Sequence, residues 1–448
     1  MDLLHHIKHY DSVALASYQE YQKEVREILY DDNTTQAQFE ELYPQIVEKA
    51  STLSLQRGDI ARVYIYTGNS KIGHSYSLCT MGFVPAAGEE GKEMSFLNCE
   101  IRIRGNSTSA GPKFPYSFKL PYNESLFGMD SGKRWCLLAN LFDMSLMRGN
   151  IGFHLAEEMD CPYTSQSTYV EVYLNGSFLG NYELVEAISD SQNRVDVDTD
   201  ENDTILEIDW NRNDGSYYFV TSLGLRFKVD RPEDITSAQK KWLQTFLEET
   251  EAAMAEESDR YLDYVDVDSF VNVYLNLEVT KNLDSNSFST RYFIKDGKLY
   301  AGPVWDFDLS AGNVSPHVDE EGYRIYLNIQ GRGDDSGDST RGLWNREGWF
   351  KVLFENHPDF EAKVAQRYRE LRPLFENVFR DNELGQSYIG KLQDRYGASF
   401  RRNFEVWDIN QRYTPYHMDT GMNYDEHVQF LIDWYEARLA YLDTVYLQ

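Results

Sequence analysis

Three aspartates carry the strongest chemical signal in this chain: Asp284, Asp306 and Asp308. The last two lie in Gly302-Pro303-Val304-Trp305-Asp306-Phe307-Asp308, where Val304, Trp305 and Phe307 read as a short buried strand bounded by the Gly-Pro turn. The pleat of such a strand sends Asp306 and Asp308 to the face opposite Phe307. Two carboxylates beside bulky apolar side chains are costly to bury unless a cation holds them, and their hard oxygens suit a divalent metal. Asp284, in Lys281-Asn282-Leu283-Asp284-Ser285-Asn286, follows a helical-looking run over 268–280. A carboxylate at a helix end and a second on the next strand place a base beside a metal, the combination that phosphoryl transfer uses. The plain alternative is a turn aspartate and two surface strand aspartates.

A second constellation lies upstream. Ile101-Arg102-Ile103-Arg104 leads out of a strand into Gly105-Asn106-Ser107-Thr108, and residues 112–120 bring the chain back along another. A loop of small residues can present backbone N–H groups to phosphate, with Arg104 or Lys119 neutralising charge. A tight turn and a strand lysine that reaches solvent are the structural alternatives.

The elements that must position these groups are readable in the periodicity. Residues 11–30 and 36–51 carry apolar positions at helical spacing, with Thr35 and Gln38 in capping-box relation, and read as a helical hairpin. From Ile60 the texture alternates as strands do, over 61–66, 95–104 and 116–120. A helical stretch over 143–159 intervenes. Residues 169–174 and 177–186 flank Asn175-Gly176, a hairpin signal because both turn residues tolerate positive φ. Strands are also expected over 205–210 and 225–229. Beyond Pro232, with Thr236 as N-cap, the pattern is helical over 237–257, 267–280, 348–356, 359–378, 386–404 and 424–446. Strands over 291–294 and 299–306 interrupt it, and the Gly/Asp-rich stretch 312–348 reads as a loop. The order predicts an α+β chain with a helical N-terminal extension (1–55), a sheet-rich small lobe (56–230) and a helical large lobe (231–448), and a cleft between the lobes.

Composition sets the outer limits. A chain of 448 residues that is 42% hydrophobic can bury a sizeable core. Its net charge of −30, from 73 acidic against 43 basic residues, argues against long-range attraction to nucleic acid or an anionic membrane. A nucleotide needs only local donors and a cation. The four cysteines have no CxxC or short Cys/His spacing and read as buried free thiols. No apolar run of about 18 residues is present and the start lacks an apolar signal core, so the expectation is a soluble chain, cytoplasmic or exported after removal of a signal segment.

Taken together, these residues resemble the CotH kinase family, the spore coat protein H group of atypical protein kinase-like proteins. The resemblance rests on Arg104-Gly105-Asn106-Ser107-Thr108, Pro112-Lys113 through Lys119-Leu120, Leu126-Phe127-Gly128-Met129, Trp135-Cys136-Leu137-Leu138-Ala139-Asn140 and Asp143-Met144-Ser145-Leu146-Met147-Arg148. It continues through 170–186, Leu206-Glu207-Ile208-Asp209, Asn282-Leu283-Asp284 and 302–308, in the family's order. The resemblance implies a two-lobed protein kinase-like fold that binds ATP with Mg2+ and phosphorylates protein Ser or Thr. It makes Lys119 the lysine that steadies the α- and β-phosphates and places Glu186 and Ala187 at the hinge that meets adenine. Asp284 becomes the carboxylate that takes or orients the acceptor proton, Asp306 the metal ligand, with Asp308 nearby. Gly105, Asn106 and Ser107 would cover the phosphates.

The sequence departs from the protein-kinase pattern in two places. The position five residues after Asp284, where those kinases carry a metal-binding Asn, is Ser289, so Asn286 or Asp308 substitutes or the second metal is lost. No glutamate is evident as partner for Lys119; Glu157 and Glu158 are the best candidates, and Arg148 on the same helix contacts phosphate or staples the lobes. Three readings follow: a Ser/Thr kinase acting on a protein acceptor, a pseudokinase scaffold that binds nucleotide without transfer, which Ser289 favours, and an AMP transferase on the same fold.

Overall fold

Alternating apolar positions curl the first half of the chain into a closed barrel. The computed structural model describes residues 12–29, 58–285 and 287–448, apart from 69, 90, 211–214, 314–337 and 412–420, with scattered positions between 31 and 45. Strands β1 (Arg62–Tyr66), β2 (Ser77–Val84), β3 (Met94–Ile103), β4 (Tyr116–Glu124), β5 (Gly132–Leu138), β6 (Ser167–Leu174) and β7 (Ser177–Glu186) close in the order β1-β2-β3-β4-β5-β7-β6. Neighbours run antiparallel except β1 and β6, which pair in parallel with Arg62 opposite Glu171. Every second side chain points inward, so Val63, Met81, Phe118, Trp135, Val172 and Leu184 share one core. The β6–β7 hairpin turns at Asn175-Gly176, both at positive φ, as the dipeptide predicts.

A second sheet follows: β8 (Thr204–Asp209), β9 (Tyr218–Val220), β10 (Arg226–Arg231), β11 (Phe288–Lys295) and β12 (Lys298–Ala301), ordered β12-β11-β8-β10-β9. The expected division at 230/231 therefore passes through β10, and it separates β8 from its hydrogen-bonded neighbour β11. The strand expected over 299–306 ends at Ala301. Pro303 has no N–H to give a ladder and Asp306 sits at φ +66°, so the Trp-Asp-Phe-Asp segment leaves the sheet as a loop.

Among the described residues the helices are α1 (Ser12–Leu29), α2 (Arg148–Glu158), α3 (Ser237–Ala255), α4 (Val267–Val279), α5 (Gly348–Asn356), α6 (Pro358–Asn377), α7 (Tyr388–Val406) and α8 (Tyr424–Tyr446). Thr236 and Gln239 form the capping box that starts α3, and Asp266 caps α4 by accepting from the Ser269 N–H. Helix α2 begins at Arg148, five residues later than its pattern, because Asp143 accepts the Ser145 and Arg148 N–H groups and holds 143–147 as a capping loop. Thr35 and Gln38 make their expected reciprocal bonds. Most of the second arm of the N-terminal hairpin, and most of the Gly/Asp-rich loop, lie outside the described residues. One large apolar core joins the second sheet to α2–α8. All four cysteines are free and buried. Among the described residues no helix is long and apolar enough to cross a membrane.

Candidate functional site

Asp284, Asp306 and Asp308 meet in one cleft of about 670 Å3. The barrel contributes the loop 104–108 with Arg102, Ser117 and Trp135, and the second sheet contributes Glu207, Lys228 and Arg291.

Asp284 stands in the loop after α4. Asn282 ties that loop to the next acid segment: its Oδ1 accepts from the Asp284 N–H at 3.2 Å, and its Nδ2 donates to the Asp306 carbonyl at 2.9 Å. Behind the loop, the Glu278–Arg438 pair is buried at 0% and 1% exposure. Glu278 also accepts the Trp344 and Asn345 N–H groups at 2.9 and 2.7 Å, so α4, α8 and residues 344–345 form one rigid seat.

The other two acids are aimed by the aromatic residues between them. Trp305 and Phe307 pack on Phe153 of α2 with ring centroids 5.6 Å away in each case. Gly152 makes this possible, since a Cβ there would stand 2.4 Å from the Phe307 ring. With both rings turned into the core, Asp306 and Asp308 open to the cleft as the sequence pattern predicted, although the backbone is not a strand. Ser289 Oγ donates to Asp306 Oδ2 at 2.8 Å. Downstream, the Arg148 guanidinium is paired with Asp143 and donates to the carbonyls of Ser310 and Ala311 at 3.0 and 3.2 Å. Arg148 thus ties α2 to the backbone that follows Asp308.

Burial, and then the neighbouring Asp306, raise the Asp284 carboxyl above its ordinary range. Asp308 is raised by burial first and then by Asp306, Asp284 and Asp143. None of the three forms an ion pair with a described lysine or arginine. Among the described residues no three His, Cys, Asp or Glu side chains lie close enough to enclose a metal on their own. Asp306 and Asp308 offer hard oxygen donors of the kind a divalent cation takes when one or two carboxylates, phosphate oxygens and water make up its shell.

Lys119 is placed differently. It lies outside the lining of the cleft, 3.3 Å from Glu100 on β3 and 3.9 Å above the ring of Tyr76, which does line it. Its glutamate is therefore Glu100, its cross-strand partner, and not Glu157 or Glu158, which are exposed at the end of α2. Ala187 lines the cleft, but the Glu186 carboxylate pairs with Arg194 at 3.0 Å beside a different, smaller pocket, where burial pushes it up to about 7. Arg104 lines the cleft with its guanidinium 5.3 Å from the Trp305 ring centre. Gly105, Asn106 and Ser107 line it too, and Gly105 at φ +85° has no room for a Cβ beside the Thr108 hydroxyl. Asn286 lies outside the described residues.

Pattern reading missed Asn282, the Asp143–Arg148 clamp and the Arg291–Glu207 pair at 2.8 Å. No periodicity announces the last, since the β11 register breaks between Phe288 and Arg291 and Ser289 sits at φ +56°.

The α+β chain gathers carboxylates from the loop after α4 and from the Asp-Phe-Asp segment in one cleft with the loop of small residues 104–108. Residues 101–442 match the CotH kinase protein family, and the chain belongs to that family. No curated protein matches the sequence.

Proposed function

We propose that this chain transfers the γ-phosphate of ATP to a Ser or Thr hydroxyl of a protein acceptor, in a Mg2+-dependent reaction. The observation that carries the reading is the convergence of Asp284, Asp306 and Asp308 with the loop 104–108 in one cleft. On this reading the barrel is the small lobe of a two-lobed kinase fold, and the second sheet with α3–α8 is the large lobe. Asp306 and Asp308 would hold Mg2+, which when bound neutralises phosphate charge. Asp284, raised in pKa by burial and by Asp306, accepts the acceptor proton as its oxygen attacks. The bond from the γ-phosphorus to the bridging oxygen breaks, the bond to the acceptor oxygen forms, and ADP leaves. Ala187 and Ile188 offer the apolar wall for the base, and Arg104 with residues 105–108 covers the phosphates.

The test uses Mg2+ with ATP labelled at the α- or the γ-phosphate and a casein-like acceptor. Movement of the γ label supports the reading; movement of the α label replaces it with AMP transfer. If ATP raises the melting temperature and neither label moves, the chain is a nucleotide-binding scaffold. Asp284→Asn should keep nucleotide binding and lose turnover, whereas Asp306→Asn should lose metal-dependent binding.

A further inference from the structure

We propose that Arg291, held by Glu207, is the cation that receives the β- and γ-phosphates of the nucleotide, whereas the resemblance names only Lys119, for the α- and β-phosphates. The inference rests on the nucleotide-binding reading above and adds a residue to it. Lys119 is committed at the rim to Glu100 and the Tyr76 ring. Arg291 lines the cleft itself, on β11 two residues beyond Ser289, and shares with Asp284 and Trp305 a narrow recess that opens beside the acids.

Its guanidinium is oriented from three sides. Nη2 donates to the Glu207 carboxylate at 2.8 Å, Nη1 donates to the Ser289 carbonyl at 3.1 Å, and the group stands 5.9 Å from the centre of the Trp305 ring. Nε is buried and has no acceptor among the described residues. A half-satisfied, fixed guanidinium is costly by itself and useful toward an oxyanion, because a guanidinium matches a phosphate better than an ammonium does.

Arg104 adds the second half of the argument. Its guanidinium lies 5.3 Å from the centre of the same Trp305 ring, so one aromatic ring carries two cations, one from the barrel loop and one from the second sheet. Trp305 immediately precedes Asp306. Arg291 is paired with Glu207 while Arg104 approaches from the barrel loop, and a group with several adjacent phosphates can engage both where a single phosphate reaches one. The ligand class is therefore a nucleoside di- or triphosphate, read through its β- and γ-phosphates, with little contribution from a monophosphate.

The experiment titrates the full-length chain with ATP, ADP and AMP in Mg2+ by calorimetry, alongside Arg291→Gln, Arg291→Lys and Lys119→Gln. The unaltered chain should bind ATP and ADP more tightly than AMP. Arg291→Gln should weaken ATP about tenfold or more and leave AMP within about twofold, with Arg291→Lys between the two. Arg291→Lys keeps the charge and serves if the glutamine variant fails to fold. An ATP affinity unchanged in both Arg291 variants, equal loss for ATP and AMP, or a loss confined to Lys119→Gln would overturn the assignment while leaving nucleotide binding intact. Absence of any nucleotide binding by the unaltered chain would instead remove the underlying reading, and this inference with it.

Discussion

The hydroxyl of Ser289 donates to Asp306 Oδ2 at 2.8 Å, so strand β11 fixes the orientation of a carboxylate that belongs to a loop after β12. Ser289 occupies the position at which the sequence departs from protein kinases, and the structure uses it to hold an acid. Ser289→Ala should cost about 1 kcal/mol of stability, the net worth of one hydrogen bond, and should weaken Mg2+-dependent ATP binding beyond that general loss. Calorimetric titration at fixed ATP and varied Mg2+ reads the effect. Unchanged Mg2+ dependence would show that Asp306 keeps its orientation without the hydroxyl.

The contact between Gly152 and Phe307 sets a steric limit on α2. Gly152→Ala puts a Cβ 2.4 Å from ring atoms close to the Phe307 backbone, where the ring cannot simply swing aside. The expected cost is about 1–3 kcal/mol, read as a lower urea midpoint, together with loss of metal-dependent binding as Phe307 shifts its flanking aspartates. A variant of unaltered midpoint would mean that the interface has slack.

Glu183 gives stability a pH dependence. It is fully buried on β7, accepts the Ser167 hydroxyl at 2.8 Å, and burial pushes its carboxyl from 4.5 up to about 7. Between about pH 4.5 and 7 the folded state keeps a proton that the unfolded state has released, so this residue lowers stability as pH rises through that window and costs a constant amount above it. Glu183→Gln should gain stability relative to the unaltered chain across the same window and show no pH-dependent gain below it. Denaturant midpoints from pH 4 to 8 supply the comparison, and parallel curves would contradict it.

Arg148 is 1% exposed and holds both Asp143 and the backbone that follows Asp308. Arg148→Met leaves the Asp143 charge buried without its partner and should cost about 3–5 kcal/mol. Adding Asp143→Asn should restore part of the loss, and a double-mutant cycle measures how much. Additive effects would show that the two residues act independently.

The acids were legible because their signal is local. Asp284 follows a helix whose period is plain in the sequence, and the boundaries of α4, α5 and α8 fall within a residue of the pattern. The aromatic spacing around Asp306 and Asp308 foretold which side chains turn inward, even though the backbone there is a loop. The cations were less legible. Whether a strand residue reaches a cleft or stops at its rim depends on barrel twist and on which strands become neighbours, so Lys119 and Arg291 looked alike in type while only one lines the acid site. The Arg291–Glu207 pair joins strands from distant parts of the chain, and no periodicity reports it. Barrel closure was hidden for the same reason, since β2 and β5 do not stand out as strands and the closing pair is parallel.

That closing pair also governs assembly during synthesis. β1 emerges from the ribosome early but finds its parallel neighbour only once β6 has followed, so until then the cylinder stays open with a bare seam on β1. A truncated chain that stops before Ser167 would lack both β6 and β7, leaving β1 and β5 as unpaired edges open to pairing with other chains.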